Sequence, residues 1–349
     1  PNCLANRLAI ISRPNELSVI IPSMNAKLAR SLALFSLFLA GLLALNALAA
    51  PTYPAVGVKV RAVKLAEHSY YIPGLAGAAS TRNEGFMSNA GFVVTPAGVV
   101  VFDTLGSPSL AQAMVKRIRE VTQQPIRIAI VSHYHADHYY GMQVFQELGA
   151  EVWAYESAKI VNGSDAQKLR FEQRKTILGK WINDKTQRFP EPDKWLSGDT
   201  DFELGGVHFN LRHVGPAHSP EDMVMFVQED GVLYAGDLVF KGRVPFVGDA
   251  DSKLWLAALD KLIALQPKVL VPGHGGASDT PVQDLTLTRD YLRFVRAEMG
   301  KAVADLVPFE DAYMATDWSR YEHMPAFIEA NRRNAYNTYI LMEKESLSK

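Results

Sequence analysis

Cysteine is nearly missing: one residue, Cys3, in a chain of 349. Everything after it has to fold without disulfides and work without a thiolate, as nucleophile or as metal ligand. A dominant charge is missing too, since 36 Lys and Arg stand against 37 Asp and Glu, for a formal net charge of −1. That balance steers the chain toward no polyanion, so nucleic acid is not an expected partner. Internal repeats are absent, which excludes solenoid and propeller arrays. Long apolar runs are scarce: the stretch from Leu32 to Leu45 stands out, and it is shorter than the ~20 residues a membrane span needs.

That stretch has a context. Met24 opens a segment in which Lys27 and Arg30 precede the apolar run, and Ala47 and Ala49 follow it as an Ala-x-Ala pattern. Residues 24–49 therefore read as a secretory signal peptide, and 1–23 as an upstream extension from a misplaced start. The expected mature protein begins near Ala50, is periplasmic or secreted, keeps no membrane anchor and has no cysteine. With 48% hydrophobic residues the chain can bury a full core.

Downstream, apolar runs alternate with turn signals. Val58–Val63 alternates like a strand, and the Gly-rich stretch 71–85 reads as a loop. A hairpin is expected around Thr95–Gly98, ending at Asp103. Ser107-Pro108 supplies an N-cap and first-turn proline for a helix with Leu110, Met114, Ile118 and Val121 on one stripe. Ile126–Val131 is a buried strand, Gly141–Leu148 a helix stopped by Gly149, and Glu151–Tyr155 a strand. Residues 157–195 are polar and weakly helical. Hairpins follow at Phe202–Val214 and Met223–Ala235, then a helix over Lys253–Leu265, a strand over Lys268–Val271, and helical stripes beyond Thr280. Interleaved strands and helices, with hairpins as well as crossovers, predict a layered α/β architecture with a mixed sheet.

The chemistry concentrates in VSHYHADHYYG, residues 131–141, at the end of a strand. His133 and His135 are two apart, as in extended chain, while Asp137 and His138 follow where a helix should start. Imidazoles are costly to bury without a partner, so such a cluster points to metal ligation. Three further candidates also follow apolar runs: His218 in VGPAHSPED, Asp237 in LYAGDLVF and His274 in VLVPGHGG. Loops at strand ends on a rigid scaffold are where function sits. His68, His208, His213 and His323 match no such pattern and read as structural or surface residues.

This ordered set resembles the metallo-β-lactamase superfamily from about Val58 to Gly275. The resemblance implies a four-layer αββα sandwich over 50–279, with the site along one edge and residues 280–349 as a C-terminal helical extension packed on the same domain. It implies that His133, His135 and His218 hold one metal, that Asp137, His138 and His274 hold a second, that Asp237 bridges them, and that Asp103 supports the cluster. The donor set suits two Zn²⁺, with iron or manganese as alternatives. A metal-bridging hydroxide oriented by Asp137 would then attack an ester, thioester, lactone or lactam carbonyl of a small-molecule substrate.

Departures from particular branches narrow the resemblance. Thiolate-ligated β-lactamases carry cysteine where this chain has Asp237, and the quorum-signal lactonases carry tyrosine where it has Phe240. GDLVF is similar to the hydroxyacylglutathione hydrolases, and the surrounding segments resemble exported metallohydrolases of sulfur oxidation and quinoprotein relay systems. Two other readings remain: a mononuclear iron persulfide dioxygenase using His133, His218 and Asp237, and a non-catalytic metal-binding accessory of a periplasmic oxidation system. Lys241 and Arg243 are candidates to clamp a substrate carboxylate, Tyr134 and Tyr139 to contact substrate beside the ligands, and Tyr313, Trp318 or Tyr321 to cover the cleft. Oligomeric state is not written in these patterns.

Overall fold

A computed structural model describes residues 52–348 apart from Asp249. The expected upstream extension and signal peptide lie outside the described residues. Among those described, no helix is long and apolar enough to cross a membrane.

The first strands are β1 (Val63–Lys64), β2 (Ser69–Ile72), β3 (Ala90–Thr95), β4 (Gly98–Phe102), β5 (Ile126–Ile130), β6 (Glu151–Tyr155) and β7 (Lys194–Leu196). They form one sheet in sequence order, antiparallel from β1 to β4 and parallel from β4 to β7. The parallel steps need crossovers. These carry α1 (Pro108–Val121), the short helices α2 (Ala136–Tyr139) and α3 (Met142–Glu147), and α4 (Asp165–Leu178). Ser107 Oγ accepts the Leu110 N–H at 3.2 Å and Pro108 occupies the first turn, so α1 starts where the sequence placed it.

A second sheet has the order β12-β11-β10-β9-β8, from β8 (Thr200–Leu204), β9 (Val207–His213), β10 (Met223–Val227), β11 (Val232–Tyr234) and β12 (Val269–Val271). Its strands are antiparallel up to β11; β11 and β12 are parallel and joined through α5 (Ser252–Ala264). The chain then runs through α6 (Pro281–Ala304), α7 (Phe309–Ala315) and α8 (Phe327–Leu347).

Three apolar layers hold four layers of structure together. Phe92, Val99, Val101 and Val152 face α1 and its neighbours, with Leu110, Met114 and Ile118 across from them. The alternate residues Val93, Val100, Phe102 and Ile130 face the second sheet at Phe209, Leu211, Met225 and Val232. That sheet's outer face, with Val224, Leu233 and Leu270, meets Trp255 and Leu259 of α5 and Leu292 and Val295 of α6. Strands buried on both faces read as continuous apolar runs, which is why their period-2 alternation is faint in sequence. The sheets approach closely at Gly91, where a methyl would overlap the Tyr234 ring.

Two expectations fail. Val58–Val63 is not a strand; only Val63 of it joins β1, and the pairing falls on Ser69–Ile72 instead. Tyr313, Trp318 and Tyr321 do not cover the cleft. Tyr321 is fully buried against Tyr291 and Phe294, and the other two pack in the same helical layer. The C-terminal helices act on the site indirectly. In α8, Asn334 Oδ1 accepts the Val247 N–H at 2.9 Å, and Asn334 Nδ2 donates to the Pro245 carbonyl at 2.7 Å. Both bonds are buried, and they pin the loop that follows Asp237.

Candidate metal centre

The site stands at the carboxyl ends of strands, where parallel sheets leave loops free to converge. His133 and His135 lie on the loop after β5, and Asp137 and His138 on α2 directly after it. His218 sits between β9 and β10, Asp237 in a single 3-10 turn after β11, and His274 after β12. All seven side chains meet.

They fall into two groups whose donor atoms lie within 4.8 Å of one another: His133, His135, His218 and Asp237, then Asp137, His138 and His274. In the first, His135 Nδ1 is 3.0 Å from His133 Nε2 and 2.8 Å from His218 Nε2. In the second, Asp137 Oδ2 is 3.6 Å from His138 Nε2 and 3.4 Å from His274 Nε2. Asp237 faces both. Its Oδ2 lies 3.4 Å from His218 Nε2 and 3.8 Å from His133 Nε2, and its Oδ1 lies 3.1 Å from His138 Nε2 and 3.3 Å from His274 Nε2.

The far ring nitrogens of His133, His138 and His274 are held as a ligand site requires, whereas His218 Nδ1 is buried without a hydrogen bond among the described residues. Asp103 follows β4 in a left-handed conformation (φ 63) that aspartate tolerates better than most residues. Its Oδ1 accepts the Ser132 N–H at 2.8 Å, and its Oδ2 accepts Ser132 Oγ–H at 2.9 Å and His138 Nδ1–H at 2.8 Å. Because a carboxylate only accepts, the Ser132 hydroxyl must donate to it, and so takes the proton of His133 Nδ1, 2.9 Å away. One carboxylate thus sets two imidazoles with Nε2 lone pairs turned inward. His274 Nδ1 donates to the Met87 carbonyl at 2.8 Å, to the same effect.

Electrostatics favour a neutral imidazole at three of these positions and a proton, which a cation would displace, at His138. Burial holds His133 and His135 well below the usual histidine range and pushes His218 down to about 4, so these three are neutral. Burial also works against a proton on His138, but Asp237, Asp103 and Asp137 together outweigh it and raise its pKa well above normal. Burial would raise Asp237, yet His274 and His138 hold it well below the carboxylate range. Three carboxylates in a buried pocket thus call for positive charge there. His138 Nε2 and Asp237 Oδ1 are buried without a hydrogen bond among the described residues. Neutral imidazoles, carboxylates and inward-facing atoms without a hydrogen bond fit a divalent cation, and the donor types suit zinc.

The other sequence candidates lie differently. Lys241 turns away, with Nζ 3.4 Å from Asp284 Oδ2 and donating to the Ala277 carbonyl at 3.3 Å, so it braces α6 and is not a substrate clamp. Tyr134 and Tyr139 are buried and stacked, ring centroids 4.4 Å apart, and Tyr139 Oη accepts from Gln167, so both pack in the core beneath the ligands. Arg243 is half-buried over the Phe240 ring, and Phe240 itself stacks on His274 with ring centroids 5.1 Å apart.

Sequence reasoning missed several residues. Ser132 was visible as the residue before the first histidine, but nothing marked it as a relay. Glu221, buried, accepts the Tyr134 N–H at 2.9 Å and ties the His218 loop to the His133 loop. Arg174 of α4 brings Nη2 to 3.7 Å from Asp137 Oδ1. Gly273 packs so tightly that a Cβ would overlap Asp237 Oδ1.

Known proteins place the chain. It is similar to a linear primary-alkylsulfatase of Pseudomonas sp., 23% identical over 58% of this chain and 45% of the relative, so it spans less than half of that protein. It is also similar to a hydroxyacylglutathione hydrolase of Haemophilus influenzae, 26% identical over 47% of this chain and 76% of the relative. Its fold matches the structure of a stereoselective inverting sec-alkylsulfatase from Pseudomonas sp., with TM-score 0.64 at 14% identity, covering 80% of this chain and 50% of that one. The sequence profile of the metallo-beta-lactamase superfamily matches residues 83–274. With that match, and with its layered fold and His/Asp cluster, the chain belongs to the metallo-beta-lactamase superfamily.

Proposed function

We propose that the chain is a hydrolase holding two zinc ions, one at His133, His135 and His218, the other at Asp137, His138 and His274, with Asp237 shared. Its substrate class is an ester, thioester, lactone or lactam, and the likeness to alkylsulfatases adds sulfate esters to the range. The observation that carries this reading is the double orientation of Asp237, one oxygen toward each group. Residues 24–49 support action outside the cytoplasm.

Zinc held there supplies Lewis acidity toward the scissile group and a water acidified toward neutral pH. The protein's own groups do the rest. Burial would raise Asp137, but His138, His274 and Arg174 outweigh it and keep it a carboxylate, able to orient the attacking water by accepting its hydrogen bond. Asp103 and Ser132 keep His138 and His133 in one tautomer through turnover. Phe240 against His274 and Trp255 against His218 shield the ligands from bulk water.

The test is a panel of thioester, lactone, β-lactam and sulfate-ester substrates on protein of measured metal content. Two zinc per chain with turnover of at least one class is expected, lost together with the metal in H135A and D237A. Full activity in a metal-depleted sample overturns the reading. One iron per chain with oxygen uptake would establish the persulfide dioxygenase instead.

A further inference from the structure

Residues 87–89 run directly into β3 and meet the metal cluster at several points, all of them on one of its two groups. The Met87 carbonyl accepts His274 Nδ1–H at 2.8 Å. Ser88 Oγ–H donates to the Asp137 carbonyl at 2.5 Å, in the first turn of α2. The Asn89 N–H donates to the Gly273 carbonyl at 2.7 Å. Asn89 Nδ2 donates to the carbonyls of Pro272 and Gly275, both at 2.7 Å, so one amide closes the turn that bears His274 from either side. Asp137 and His274 belong with His138 in the second group of ligands. The first group takes its support elsewhere: Ser132 holds His133, and Glu221 ties the His133 loop to the His218 loop.

The amide of Asn89 is specific to this task. The residue is 3% exposed, so its polar atoms have little water to fall back on. Carbonyl oxygens only accept and a backbone N–H only donates, which fixes the amide's orientation: both Nδ2 hydrogens go to the His274 turn, and Oδ1 accepts the Gly74 N–H at 2.9 Å. An aspartate has the same shape, but it would set an acceptor against two carbonyl oxygens across the distances that hydrogen bonds now span. The bond from Gly74 ties in the Gly-rich stretch before β3. A methyl on Gly74 would overlap the Ser88 carbonyl, so that stretch lies directly on the residues that hold the ligands.

We propose that residues 87–89 form a strap that positions Asp137 and His274 and so sets the affinity of the second metal separately from the first, with Asn89 as its main positioning residue. Displacing the strap leaves a protein with one ion, at His133, His135 and His218. This rests on the two-metal reading of the site.

The test is zinc titration of metal-free wild type, N89D and S88A against a competing chelator, with ring-nitrogen NMR resonances of the histidines followed at each step to show which imidazoles take each ion. Wild type should take two zinc ions. N89D should bind the first as wild type does, moving His133, His135 and His218, while the second, read at His138 and His274, binds about a hundredfold more weakly. S88A loses one hydrogen bond and little volume; it should weaken the second ion about tenfold, and it decides the matter if N89D does not fold. Variants that take both ions with wild-type affinity overturn the proposal and leave the hydrolase reading intact. Equal weakening of both ions also overturns it, by making the strap a general brace of the fold. Uptake of a single ion by wild type would remove the two-metal reading itself, and this proposal with it.

Discussion

Gly273→Ala tests how tightly the cluster is built. Gly273 precedes His274 and donates its N–H to the Gly236 carbonyl at 2.6 Å, so the loops bearing His274 and Asp237 are joined there. An added methyl would overlap Asp237 Oδ1 and come to 2.7 and 2.8 Å from the Gly236 carbonyl carbon and oxygen. Two of these three atoms are backbone, and the third belongs to the carboxylate that faces both groups, so no flexible side chain can yield. Overpacking of this kind costs about 1–3 kcal/mol, which in a chain of this size lowers Tm by about 2–4 °C for each kcal/mol. The larger effect falls on metal. Moving Asp237 disturbs both groups, and zinc affinity should drop by about tenfold to a hundredfold, as when a ligand loses its support. Thermal unfolding and zinc titration against a competing chelator read the two effects. A G273A protein that keeps wild-type stability and zinc affinity would refute the packing argument.

Other outcomes follow from the same geometry. In D103N, an amide nitrogen or oxygen must replace a carboxylate that accepts from Ser132 N, Ser132 Oγ and His138 Nδ1; one donor is left facing donors, and metal affinity should fall about tenfold to a hundredfold by chelator competition, whereas unchanged affinity would mean the relay is idle. Glu221 is raised above its ordinary 4.5 by burial, so the native state holds its proton longer than the unfolded chain and ionisation costs stability as pH rises through that window. E221Q removes the cost. Urea unfolding across pH 4 to 8 should therefore show the variant gaining on wild type as pH rises, and a gain confined to acid pH would reverse the sign of the argument.

What was legible in the sequence, and what was not, has physical causes. The seven cluster residues stand out because each follows an apolar strand, and imidazoles crowded at a strand end have few uses other than ligation. Helix α1 was legible because its cap, its proline and its stripe all agree. Helix α4 was not, because its inward face carries Gln167, Arg170 and Arg174, which meet Tyr139, the Tyr134 carbonyl and Asp137, where a core-facing helix would be apolar. Lys241 and Arg243 looked equivalent from position alone; only the fold shows that Asp284 engages the lysine and leaves the arginine. Tyr134 and Tyr139 sit among ligands in sequence but beneath them in space: Tyr134 because alternate residues of the extended chain after β5 point to opposite sides, and Tyr139 because it lies on the core-facing side of helix α2. Gly273 carries no side-chain signal at all, and its constraint arises wholly from where Asp237 comes to rest.

The most direct measurement of the central claim is anomalous diffraction at the zinc edge from crystals grown with zinc. Two peaks should flank the Asp237 carboxylate, one bounded by His133, His135 and His218 and the other by Asp137, His138 and His274. A single peak, or none, in crystals of an enzyme that turns over at full rate would contradict the account.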